Sequence, residues 1–292
     1  MQMLLLQGLP GRLSCFWFRK TLLPQALRQG VTSFPLAAMM LADVVPRLYM
    51  PHRIMSELLK FAHHLGDPAR EFVIFGEGDC SARVDSKTFL VKAAGRHLSS
   101  VDEDDFVPMS FEPLLELVAK RPNARPGEIA RCLESAAGRK HATPSKESFF
   151  HAVLLDLPKI HCVAHTHPTY VAGILASPKA EAFAAMRLFP AHVTLCGPRS
   201  LYIPYMDPGL PLAVELRYRL EIYMNQHGDP PATIMLANHG MIALGHTTEA
   251  ALAATEMTQK AALAYVSAQA CGGAIPLPDA DVQRLVDESR RT

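Results

Sequence analysis

From residue 53 onward the chain predicts an α/β fold. Apolar residues at helical spacing alternate with short apolar or period-two runs, and turn residues punctuate the boundaries between them. Hydrophobic residues make up 49% of the 292-residue chain and charged residues 20%, enough apolar material for a buried core. In order, residues 53–65 read as a helix with Ile54, Leu58, Leu59 and Ala62 on one face, stopped by Gly66-Asp67-Pro68. Residues 72–75, 80–84 and 88–93 read as strands, separated by Gly76, Gly78 and Asp85-Ser86. Residues 99–105 are an acidic loop, and 112–119 and 127–137 are helical, with Gly138 as a stop.

Thr143-Pro144-Ser145 opens a further helix, with Pro144 in its first turn, running through Phe149, Val153 and Leu154 to Pro158. Residues 160–167 alternate and read as a strand ended by Pro168. Residues 169–176 and 212–226 are helical, the second closed by Gly228. Strands 233–237 and 241–244 flank Asn238-His239-Gly240, and 248–270 is a long Ala-rich helix closed by Gly272-Gly273. No internal repeat or linker interrupts 53–275. The expected organisation is a non-core extension over 1–50, one domain over 51–275 and a tail over 276–292.

The extension carries Arg12, Arg19, Lys20 and Arg28 before the first acid, Asp43, and is broken by Pro10, Pro24 and Pro35. The favoured reading is a start codon placed upstream of a true beginning at Met50 or Met55, in a cytoplasmic protein. An organellar transit peptide over 1–46 is the alternative. Lys plus Arg number 29 and Asp plus Glu 28, a net charge of +1, so no large field draws the chain to nucleic acid or an anionic membrane. No apolar run reaches the length of a membrane-spanning helix. The six cysteines are scattered without a C-x-x-C pair, against a zinc ribbon or a disulfide scaffold.

The histidines carry the chemistry. In His165-Thr166-His167 the two imidazoles stand at i and i+2 of a strand, on one face, where Pro168 ends it. His239, in a polar triplet between two apolar strands, sits on a sharp turn that Gly240 permits. Three neutral imidazoles with an open position suit a catalytic zinc or iron(II) ion. Glu147, in the first turn of the helix from Thr143 and one turn before His151, offers a carboxylate that ligates or acts as a base. His161 shares the His165 face further down the strand and reads as a packed or hydrogen-bonded histidine. His63, His64, His192 and His246 have no partner pattern.

Together these pieces resemble the class II aldolase/adducin family, in the manner of the fuculose-phosphate aldolases. The matching elements are Gly78-Asp79-Cys80-Ser81, then Leu90-Val91-Lys92-Ala93-Ala94-Gly95, then Pro144-Ser145-Lys146-Glu147 with His151. His165-Thr166-His167-Pro168 and Asn238-His239-Gly240 with Gly245 follow. The resemblance covers residues 53 to 270. It implies a three-layer α/β/α domain around a central, largely antiparallel mixed sheet, in a homo-oligomer, commonly a tetramer with the active site at a subunit boundary. It implies that His165, His167 and His239 hold the metal, zinc first, with iron(II) and manganese as alternatives. Glu147 is similar to the acid that ligates the empty site and becomes the proton-transfer base. Gly78, Asp79, Ala94, Gly95, Ser145 and Lys146 resemble the pocket for a substrate's phosphate.

That pocket departs from the sugar-phosphate pattern. Asp79 replaces an Asn, Ala94 a Ser or Thr, and Lys146 a small hydroxyl residue. A carboxylate about 4 Å from a phosphate charge costs on the order of 1–4 kcal/mol. Lys146 offsets this by pairing with Asp79 or with the substrate, so a carboxylate or an unphosphorylated substrate is the expected retuning. A tyrosine expected about twenty residues beyond the His pair is missing from 183–189; Tyr170, Tyr202 and Tyr205 stand elsewhere. The expected activity is that of a metal-dependent lyase, an aldehyde-lyase or carboxy-lyase, acting on a small hydroxy-keto compound through a metal-stabilised enediolate. The alternatives are a non-heme iron oxygenase of the same family and a non-catalytic, adducin-like interaction module.

Overall fold

The computed structural model describes residues 52–138 and 142–290. The extension over 1–50, and with it the start-codon and transit readings, lies outside the described residues. The first helix, α1, covers residues 52–65. Strands β1 (Asp79–Arg83), β2 (Thr88–Lys92) and β3 (Phe106–Ser110) follow, then helices α2 (Phe111–Lys120), α3 (Pro126–Ala136) and α4 (Ser148–Leu155). Next come β4 (Cys162–Thr166), α5 (Thr169–Leu175), α6 (Ala180–Ala185), α7 (Pro190–Cys196) and β5 (Leu201–Ile203). The described chain closes with α8 (Leu210–His227), β6 (Thr233–Leu236), β7 (Gly240–Gly245), α9 (Thr248–Gln269) and α10 (Asp279–Ser289).

The strands form one seven-stranded sheet in the order β3-β2-β1-β4-β7-β6-β5. Every pairing is antiparallel except β5 with β6, so the sheet is mixed and mostly antiparallel. Strand alternation sends side chains to two cores. Cys80, Ala82, Cys162, Ala164, Met241 and Ala243 pack with α1, α5, α6 and α9. Val163, Ile234, Ile242 and Leu244 pack on the other face with α2, α4 and α8. Both faces are covered, which gives the α/β/α layers. On β4, His165 follows Val163 on the α4 side, and β1 and β7 flank it with the registers Asp79↔His165 and His165↔Ile242. Helix α9 packs on its face mostly through small residues, Ala251, Ala254, Thr255, Thr258, Ala261 and Ala262, with Tyr265 the one large side chain it buries.

Several elements differ from the sequence reading. Residues 72–75 are not a strand but a loop with Phe75 in the left-handed region at φ 51°; it still caps β4, because Phe72 O accepts from His167 N at 2.8 Å. The helix read from Thr143 starts at Ser148, so Glu147 is its N-cap rather than a first-turn residue. His161 is exposed rather than packed. Strands β3 and β5 and helices α6 and α7 are additions to the sequence reading. The tail contains α10, whose Val282 and Val286 cover Val193 of α7.

Candidate metal centre

The centre forms at one end of the central strands, where β4 ends, β1 begins and the β6–β7 turn comes alongside. His165 is fully buried within β4, and His167 lies one residue past its end. His239 is held by the turn: its N–H donates to Leu236 O at 3.2 Å, and Asn238 takes φ 52°, a left-handed conformation that asparagine tolerates. Gly240 is required here. A Cβ on it would lie 2.5 Å from both His167 Cδ2 and Thr166 O, so only glycine lets the turn meet the end of β4.

The three rings converge. Their centroids are 4.8 Å apart for His165–His167, 4.8 Å for His165–His239 and 5.2 Å for His167–His239. One nitrogen from each ring lies within 4.8 Å of the others, a set able to hold a divalent metal ion. Hydrogen bonding supports that fit. His165 Nδ1 lies 3.0 Å from Met241 O and so carries the proton, and His167 Nδ1 lies 3.0 Å from Glu77 Oε2. Both Nε2 lone pairs then face each other at 3.1 Å. Two nitrogens at 2.0–2.1 Å from one tetrahedral ion stand about 3.3 Å apart, so a cation is the group this pair fits. His239 Nδ1 is buried without a hydrogen-bond partner among the described residues.

Electrostatics keep His165 and His239 neutral and ready as ligands. Burial, then the neighbouring His167 and His239, push His165 well below the usual histidine range. Burial, then His167, bring His239 down to about 4. Glu147 lies between two of the ligands, with Oε2 3.6 Å from His165 Nε2 and Oε1 3.5 Å from His239 Nε2. Burial, then the negative charge of Asp79, raise its carboxyl to about 8.

A pocket of about 410 Å³ opens beside these groups. Gly78, Asp79, Ala94, Gly95, Ser145 and Lys146 all line it, with Glu147, His167 and His239. All the residues singled out from the sequence therefore meet at one place, His165 lying behind the lining. The pairing of Lys146 with Asp79 is not formed. Asp79 Oδ1 takes His151 Nε2 at 2.6 Å, and Oδ2 accepts from Ser145 Oγ at 3.3 Å. Burial would raise Asp79, but His151, by charge and hydrogen bond, holds it well below the carboxylate range. His151 Nδ1 in turn meets Ser81 Oγ at 2.6 Å. Lys146 is exposed, with no hydrogen bond or ion pair to another described residue.

Two contributors have no role in the sequence reading. Lys92 is buried, and its Nζ donates to Gly76 O at 3.1 Å and Arg96 O at 2.6 Å, tying two pocket loops together. Glu77 orients His167; an isolated glutamate in a glycine-bearing loop gives no hint of that role. No tyrosine lines the pocket among the described residues, and Tyr170 and Tyr205 are exposed elsewhere.

Comparison with known proteins matches this architecture. An L-fuculose 1-phosphate aldolase superposes with a TM-score of 0.62 at 18% identity, covering 82% of this chain and 96% of its own. An N-terminal class II aldolase domain of a conserved protein from Thermoplasma acidophilum gives 0.58 at 20% identity, covering 73% and 93%. An L-fuculose-1-phosphate aldolase from Thermus thermophilus gives 0.55 at 15% identity, covering 77% and 100%. At these identities the likeness is one of fold. No curated protein sequence matches the chain. The family model described as the class II aldolase and adducin N-terminal domain matches residues 56–266, most of the described chain, and the protein belongs to that family.

Proposed function

We propose that the protein is a metal-dependent lyase acting on a small hydroxy-keto compound, by aldol cleavage or decarboxylation. The observation that carries this reading is the convergence of three imidazoles, two of them beside the Glu147 carboxyl, at the wall of a pocket sized for a small molecule. His165, His167 and His239 hold the ion, with zinc the first choice for three imidazole donors. Such an ion, when bound, supplies Lewis acidity to the carbonyl and hydroxyl oxygens of the substrate. Glu147 moves the proton: burial and the Asp79 charge raise its carboxyl to about 8, near enough to neutral pH that it both takes and returns one.

The pocket supports a substrate without a phosphate ester. Ser145 spends its hydroxyl on Asp79 instead of offering it to a ligand, and the Asp79 charge lies in the lining where a phosphate would sit. Lys146 is the exposed cation of the lining and is placed to meet a single negative group such as a carboxylate. We also infer a homo-tetramer, in keeping with the exposed Ile74 and Phe75 beside the pocket; sedimentation of the full chain tests it.

The test is metal content followed by a substrate screen. The purified protein is expected to bind one equivalent of zinc, manganese or iron(II). It is expected to lose activity toward hydroxy-keto acids on chelation and to regain it on reloading. Absence of metal binding, or turnover that survives His239→Ala, would overturn the reading.

A further inference from the structure

We infer that Glu77 is a positioning residue that sets the tautomer and aim of His167, and through it the strength of the metal centre. This inference rests on the metal reading above. Each histidine is oriented differently behind its cluster-facing nitrogen. His165 has the Met241 carbonyl, His239 has no partner on Nδ1 among the described residues, and His167 alone has a carboxylate, Glu77 Oε2 at 3.0 Å. A carboxylate accepting Nδ1–H fixes the proton on that nitrogen and raises the basicity of Nε2.

Glu77 is built into place. Its second oxygen, Oε1, accepts from Ile74 N at 2.7 Å, and its own N–H donates to Ile74 O at 3.2 Å, closing the loop tip on itself. The loop presses against the end of β4 at Gly78, where a Cβ would lie 2.6 Å from Val73 Cγ1 and 2.8 Å from His165 O. The same loop holds the His167 backbone through Phe72 O. His167 is therefore fixed at main chain and ring by one segment. Glu77 is not itself a ligand in this arrangement: it lies on the Nδ1 side of the ring, and Nε2 faces His165.

Glutamate is the residue this position needs, because two donors, Ile74 N–H and His167 Nδ1–H, require two acceptor oxygens. Glutamine supplies one acceptor oxygen and an amide donor, so Glu77→Gln keeps the size of the side chain and offers His167 Nδ1 a donor in place of an acceptor. Glu77→Ala loses both acceptors.

Two measurements test the inference. The first reads the ring nitrogens of His167 in metal-free protein labelled with ¹⁵N-histidine, the signal being assigned by its loss in His167→Asn. The wild type is expected to show the Nδ1–H tautomer, and Glu77→Gln a shift toward Nε2–H. The second is zinc or cobalt(II) affinity by competition with a chromophoric chelator. Glu77→Ala is expected to weaken it by about 10–100-fold, and Glu77→Gln by less. If Glu77→Ala does not fold, Glu77→Gln carries both readouts. An unchanged tautomer in Glu77→Gln, or metal affinity within about twofold of wild type in the folded variants, would overturn the inference. If no metal binds even to the wild type, the lyase reading fails while the tautomer measurement still decides the role of Glu77.

Discussion

Glu147 and Lys146 are neighbours in the chain with separable tasks. Glu147→Gln keeps the volume and polarity of the side chain and removes its ability to accept a proton. Turnover is expected to fall by about 10²-fold or more, with metal content unchanged because the histidines still hold the ion. Steady-state kinetics beside metal analysis checks both halves; a fully active variant would remove Glu147 from the mechanism. Lys146 makes no hydrogen bond or ion pair to another described residue, so its charge is available to a ligand. Lys146→Ser is expected to raise KM for a carboxylate-bearing substrate while leaving kcat nearly unchanged, the signature of binding lost equally from ground and transition states. A fall in kcat alone would place Lys146 in the chemical step instead.

At the scale of elements, the β6–β7 turn is the tightest joint of the site. Gly240→Ala puts a methyl 2.5 Å from His167 and from the backbone of β4. The variant is expected to lose about 1–3 kcal/mol of stability and to bind metal more weakly, read by urea unfolding and chelator competition. The sequence announces this joint, because Asn-His-Gly between two apolar runs has few other uses. It announces β1, β2, β4, β6, β7 and the long helices equally well, since each combines a clear period with clear stops. It is silent where elements are short. Strand β5 has three residues and α6 six, too few for any period to register. Pro144 misleads, because a proline that suits a first helical turn equally suits a loop ahead of Glu147. Glu77 and the Asp79–His151 pair are illegible for another reason: their partners lie 90 and 72 residues away, and only the strand register brings them together.

The molecule as a whole carries buried imidazoles that resist protonation, and acid exposes them. His192, on α7, is brought down to about 3, by burial and then by the cationic Arg187. The unfolded chain binds this proton near pH 6.5 and the folded chain does not. The contribution is therefore whole above pH 6.5 and lost as pH falls toward 3, by about 1 kcal/mol per pH unit. Urea midpoints at pH 7, 6 and 5 are expected to fall more steeply in the wild type than in His192→Gln, which cannot titrate; parallel slopes would contradict it.

The order of the strands has a consequence for the chain as it is being made. β4 lies in the middle of the finished sheet, but its neighbour β7 is the last strand synthesised, roughly seventy residues later. Until residue 245 has left the ribosome, β4 is an open edge, and β5 has no partner because β6 is also late. A nascent chain ending before the β6–β7 turn carries His165 and His167 but not His239. The emerging polypeptide therefore has one open strand edge to shield, and it brings its three imidazoles together only when the sheet closes.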